Sequence, residues 1–143
     1  DHDVELWMAG EPGAGAGAAA RGFVGLAFRV RGKGEKYEAF YLRPTNGRVE
    51  DQVRRNHAAQ YIAFPDYPWQ RLRKEFPEKY ESYVDLVPGE WTHVRITVKG
   101  RKACLYVHDA AQPTLVVNDL FLGDEGGGLA LWVGPGTLAH FAE

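Results

Sequence analysis

Alternation between apolar residues and polar or small ones, repeated in short runs, constrains this chain more than any other feature. It is plainest from Phe23 to Val30, where Val24, Leu26, Phe28 and Val30 share one face and Gly25, Ala27 and Arg29 the other. A period of two marks a half-buried strand, because successive side chains of extended backbone point to opposite sides. The same pattern sets Val4, Leu6 and Met8 against Asp3, Glu5 and Trp7, and Val94, Ile96 and Val98 against His93, Arg95 and Thr97. Tyr37 to Arg43 alternates too, with Glu38, Phe40 and Leu42 opposite Tyr37, Ala39, Tyr41 and Arg43. Further strands are expected at His57 to Phe64, Lys102 to His108, Thr114 to Val117, Gly128 to Val133 and Thr137 to Phe141. Gly32-Lys33-Gly34 predicts a hairpin between the second and third of these runs, and Pro44-Thr45-Asn46-Gly47 and Gly100 predict turns. Short strands so closely spaced predict an all-β fold of antiparallel sheets, a sandwich or barrel, with the 143 residues forming a single domain.

Two segments depart from this pattern. Trp69, Leu72 and Phe76 fall at helical spacing behind Asp66-Tyr67-Pro68, which predicts one short helix from Pro68 to Phe76 within a long connection, stopped by Pro77. The small-residue run from Glu11 to Gly22 has little to pack and is expected to be a flexible loop. It lacks the lysine of a phosphate-binding P-loop.

The formal net charge of −2 supplies no global field for nucleic acid or an anionic membrane. No apolar run approaches the roughly 20 residues of a membrane-spanning helix. The single cysteine, Cys104, excludes an intrachain disulfide and any multi-thiolate metal site, and its strand-like surroundings make it a small core or face residue. A start at Asp1 without an initiator Met predicts a processed or trimmed end, so export cannot be read there.

Between Tyr37 and Tyr83 the chain mixes arginines with Asn46, Asn56, Gln52, Gln60 and His57, and sets Tyr41, Tyr61, Tyr67, Trp69 and Tyr80 among them. Planar hydrogen-bonding groups can share the paired hydroxyls of a sugar, and aromatic faces can cover its C–H surfaces. This predicts a carbohydrate contact set of Arg43, Asn46, Arg55, Asn56, His57, Gln60, Tyr61 and Trp69. Tyr41 would lie on a groove floor beside Gly25 and Ala27. Two structural readings stand beside it: Trp69 anchors the helix to the sheet, and pairs such as Arg55 with Asp51 tie down the long connection.

The runs Gly89-Glu90-Trp91-Thr92-His93-Val94, Ala103-Cys104-Leu105-Tyr106-Val107 and Gly127-Gly128-Leu129-Ala130-Leu131-Trp132-Val133-Gly134 follow one another in order. Together with the strands FVGLAFR and YEAFYLRP they resemble the concanavalin A-like lectin/glucanase superfamily. The likeness is to its laminin-G-like domains and to bacterial domains of the keto-glycoside hydrolase type. The resemblance implies a jelly roll of two curved antiparallel sheets, carbohydrate on the concave face or its rim, and a secreted or periplasmic location. For a complete jelly roll the chain is short, which predicts missing terminal strands or open sheet edges that pair into an oligomer.

Three further chemistries are written in the same residues. A polysaccharide lyase would use Arg43, Asn56 and Gln60 to neutralise a uronate, with His57 and Tyr61 moving protons. A glycoside hydrolase would need two carboxylates roughly 5–10 Å apart, for which Glu38, Asp51, Glu75 and Glu81 are candidates. Alternation points Glu38 at the core, where burial would raise its pKa. A laminin-G-like protein-interaction module is the third. No cofactor is required by any of these. Calcium at Asp119, Asp124 and Glu125, beside a glycine-rich turn, is the one metal the resemblance admits.

Overall fold

A computed structural model describes residues 2–123 and 126–143. The predicted alternations become strands β1 (His2–Pro12), β2 (Val24–Arg31), β3 (Lys36–Leu42) and β4 (Ala59–Phe64) in the first half of the chain. The second half supplies β5 (Glu81–Ser82), β6 (Thr92–Lys99), β7 (Lys102–Val107), β8 (Leu115–Val117), β9 (Gly128–Val133) and β10 (Thr137–Ala142). They form two five-stranded antiparallel sheets, ordered β10-β1-β6-β7-β8 and β5-β4-β3-β2-β9, so the fold is an all-β sandwich. Leu6, Met8, Val94, Ile96, Val98, Leu105 and Val107 of the first sheet meet Val24, Leu26, Phe28, Phe40, Leu42 and Tyr61 of the second in the core. Non-directional burial of these faces drives the two layers together. Cys104 is a buried free thiol.

The connection between β3 and β6 is more ordered than the sequence pattern predicts. The expected helix is present as α2 (Trp69–Glu75), but α1 (Gln52–Arg55) adds a second helical turn, capped by the Asp51 carboxylate, which accepts from the amides of Val53 and Arg54. A 3-10 turn at Pro44–Asn46 precedes it. The connection also contains the expected strand as β4, paired on β3, and a further short strand, β5, on β4. Glu11 to Gly22 is likewise structured. β1 runs to Pro12, Gly13 N–H bonds Gly136 O at 2.8 Å, and two turns follow, closed by Ala16 N on Gly13 O and Ala20 N on Gly17 O. Backbone hydrogen bonds organise a stretch whose side chains are too small to pack on their own.

One strand breaks its own alternation. The register of β2 shifts between Phe28 and Arg31 against β3 and between Ala27 and Val30 against β9, and Arg29 takes φ 52, the left-handed region that non-glycine residues rarely occupy. The bulge takes Arg29 off the face it would share with Gly25 and Ala27. Its guanidinium donates to the carbonyls of Gly100 and Gly123 and comes within 3.9 Å of Glu38. Glu38 is completely buried, as alternation requires, and its Oε1 accepts from Tyr61 OH at 2.5 Å. Its Oε2 has no hydrogen-bond partner. Burial pushes the Glu38 carboxyl above its ordinary pKa, and the bond from Tyr61 only partly offsets it.

A raised folded-state pKa means that the native state holds this proton more tightly than the unfolded chain. The contribution is fully present below the unfolded carboxylate range and is lost as pH rises through the folded value. Glu38→Gln keeps an acceptor for Tyr61 and removes the titration. Its stability relative to the parent, measured by urea denaturation at a series of pH values, should therefore increase as pH rises. A constant difference across the series would contradict this account.

Candidate functional site

Strands exposed on one side alternate between buried and open residues; β2, β3 and β4 do not. Every residue from Val24 to Phe28, Glu38 to Leu42 and Ala59 to Ala63 is buried, so both faces of the second sheet are covered at its three central strands. Its outer face carries a row that crosses all five strands: Glu81, Gln60, Tyr41, Gly25 and Trp132, each opposite the next. Gly25 is the hinge of this row. A Cβ there would overlap the Phe40 carbonyl oxygen and lie 2.6 Å from Tyr41 Cα. With no side chain between them, the rings of Tyr41 and Trp132 fold toward each other from either side and stack at 4.4 Å and 21°. Trp132 Nε1 donates to Tyr37 OH at 3.2 Å, and Tyr37 stacks on Phe64, extending the aromatic floor.

Over this floor lies an apolar cavity of about 500 Å³, walled by Gly17, Ala19, Ala20, Pro135 and Gly136 on one side and by Phe64, Pro68 and Trp69 on the other. Its size is within the roughly 300–1,000 Å³ of small-molecule sites. Ala19, Phe23 and Trp69 also line a second cavity of about 210 Å³, and the remaining lining of that one is polar: Arg21, Arg43, Asn46, Arg54, His57 and Arg73. Trp69 stands at the junction, its ring 4.6 Å from the Arg73 guanidinium and 5.6 Å from that of Arg43.

Arg43 holds the polar end together. Though only 4% exposed, it donates to His57 O at 2.9 Å, Tyr41 OH at 2.9 Å, Gln60 Oε1 at 3.0 Å and Glu81 Oε1 at 3.4 Å. Glu81 also takes both arms of Arg73, and His57 Nε2 lies 3.5 Å from its other oxygen. Burial lowers the Arg43 guanidinium from its ordinary pKa, opposed by Tyr41 and Glu81. Burial is also the main cause pushing the Tyr41 hydroxyl up to about 12.

The expected contact residues divide accordingly. Tyr41, Arg43, Asn46, His57 and Trp69 line the two cavities. Gln60 is adjacent but wholly buried, its amide spent on Arg43, Tyr61 O and Tyr80 O. Tyr61 does not join them: it is one residue from Gln60 and so faces the opposite way, into the core against Glu38. Arg55 turns away to Val49 O and Gln52 Oε1, and Asn56 accepts from Gln52; neither lines either of these two cavities. Asp51 caps α1 rather than pairing with the Arg55 side chain. Of the carboxylates considered for catalysis, Glu38 is on the core side, Glu75 pairs with Arg71, and Glu81 is held by arginines.

Arg21, Phe23, Arg54, Phe64, Arg73 and Trp132 are the charged and aromatic cavity residues that the sequence pattern did not select. Trp132 was detectable, since alternation in β9 sets it opposite Leu131 and Val133. Among the described residues no group of three or more His, Cys, Asp and Glu could hold a metal. Asp119 accepts from Lys79 and Tyr80, and Asp124 and Glu125 lie outside the described residues. Among the described residues no helix is long and apolar enough to cross a membrane. No family model matches the chain, and no curated protein matches it.

Two changes test this construction. Gly25→Ala sets a methyl group against backbone and should cost about 3 kcal/mol, with altered tryptophan fluorescence as Trp132 leaves Tyr41. Arg43→Lys cannot serve four acceptors at once and should cost about 3 kcal/mol. Denaturation midpoints equal to the parent's would refute either statement.

Proposed function

We propose that the outer face of the second sheet binds carbohydrate, with a sugar ring against Trp69 and the aromatic floor and its polar substituents toward the arginine-lined end. The observation that carries this reading is the continuity of the two cavities through Trp69. An apolar surface meets convergent planar donors there, the combination a sugar requires: C–H faces on one side, hydroxyl oxygens on the other. The five-on-five antiparallel sandwich is compatible with the concanavalin A-like resemblance at the level of architecture alone. Binding is favoured over cleavage because the two buried acids nearest the site are held out of reach. Glu81 is shared by Arg43 and Arg73, and Glu38 is separated from the cleft by the sheet.

Native electrophoresis in gels cast with xylan, mixed-linkage glucan, polygalacturonate or a sulfated galactan tests the reading. At least one polymer should retard the protein, and Trp69→Ala, which removes a ring already 37% exposed, should weaken that interaction about tenfold. Incubation with the retarding polymer should release neither reducing ends nor ultraviolet-absorbing unsaturated product. Release of either would replace the binding reading with a cleaving enzyme. No retardation by any polymer would overturn it and leave protein interaction as the use of this face.

A further inference from the structure

The smaller cavity holds more positive charge than its surroundings neutralise. Arg43 and Arg73 share one carboxylate, Glu81. Arg21 and Arg54 line the same cavity and have no carboxylate partner among the described residues. Arg21 Nη1 donates to the carbonyls of Ala18 and Ala20, and Arg54 Nε and Nη2 both donate to Asn46 Oδ1. Neutral acceptors orient the two guanidiniums without cancelling their charge, and leave each with further donors. Glu78, the other acid nearby, is an exposed rim residue 3.7 Å from His57.

Both arginines are built into place. Arg21 is clamped by the carbonyls of its own turn, and Arg21 O accepts from Thr45 N, tying that turn to the 3-10 segment carrying Asn46. Asn46 is 3% exposed; it donates to His57 O at 3.3 Å while receiving Arg54, so α1 and the 3-10 turn fix the second guanidinium. The two charges are near enough that Arg54, after burial, contributes to lowering Arg21 from its ordinary pKa. Like charges held together by the fold at a cavity mouth are relieved by an anion that accepts from both.

Resting on the carbohydrate reading above, we infer that the ligand is an acidic glycan whose anionic substituent, a carboxylate or a sulfate ester, bridges Arg21 and Arg54 while the ring bearing it lies against Trp69. Charge complementarity selects this class over neutral glycans. Planar guanidiniums donate paired hydrogen bonds to either anion, which a lysine in their place would not reproduce.

The test is calorimetric titration of the parent protein with oligogalacturonate, its fully methyl-esterified form and an oligosaccharide of sulfated galactan, repeated with Arg21→Gln and Arg54→Gln. The acidic form should bind at least about tenfold tighter than the esterified one, and added salt should weaken it. Each variant should lose about that factor for the acidic ligand and little for the neutral one. Preference for oligogalacturonate assigns a carboxylate, and preference for the sulfated ligand assigns a sulfate ester. Equal affinity for acidic and esterified forms in the parent, with no tighter binding of the sulfated ligand, overturns the inference while leaving carbohydrate binding intact, and needs no variant to fold. Absence of binding to these three and to neutral xylan overturns both.

Discussion

A buried guanidinium organises everything on the ligand side of this sandwich. Taking Arg43 out of water costs several kcal/mol unless acceptors surround it, and the chain supplies them from four places: Tyr41 in β3, Gln60 in β4, Glu81 in β5 and the His57 carbonyl after α1. Only His57 and Gln60 are near one another in sequence; Tyr41 and Glu81 come from well before and well after them. Satisfying one cation therefore pins the short edge strand β5 and the helical connection to the sheet. It also leaves Arg43 little capacity to bind anything else. The residue most suggestive of ligand contact by composition acts chiefly as the keystone of the pocket's wall.

The second constraint is steric. A sandwich normally leaves the outer faces of its sheets to water, and the three central strands of the second sheet here do not. Gly25 lets Tyr41 and Trp132 close over the strand between them, while Ala27 and Ala39 keep the neighbouring floor low. The small-residue turns from Gly13 to Ala20 then pass near enough to wall the cavity. Small residues in floor and wall are what make room for a ligand between aromatic groups. β9 and β10 are edge strands and leave Leu129, Leu131, Val133 and Leu138 exposed.

Much of this was legible in the chain. Period-two alternation located nearly all the long strands, put Glu38 in the core, and placed Tyr41 beside Gly25 on the other face. It failed where backbone geometry changes without a marker in composition. Nothing in the run Phe28-Arg29-Val30 announces a bulge at an arginine, and Glu81-Ser82 is too short for any pattern. Within the arginine-rich stretch, composition identified the region and not its members. Arg54 and Arg55 are adjacent and chemically identical, yet one turns into the cavity and the other onto Val49 and Gln52, because α1 sets them about 100° apart. Tyr61 was lost for the related reason that neighbours on a strand face opposite ways.

Sequence by itself determined the architecture: where strands run, which face each buries, and that a dense set of planar donors and aromatics lies between Tyr37 and Tyr83. These are properties of local periodicity, and one strand at a time suffices to read them. Tertiary structure alone decided which of those groups meet. Arg21 and Trp132 come from opposite ends of the chain to join Arg54 and Trp69, and the charge left over at their junction depends on which carboxylates are already spoken for. Charge balance and shape in a cavity are sums over distant residues, and only folding brings the terms together.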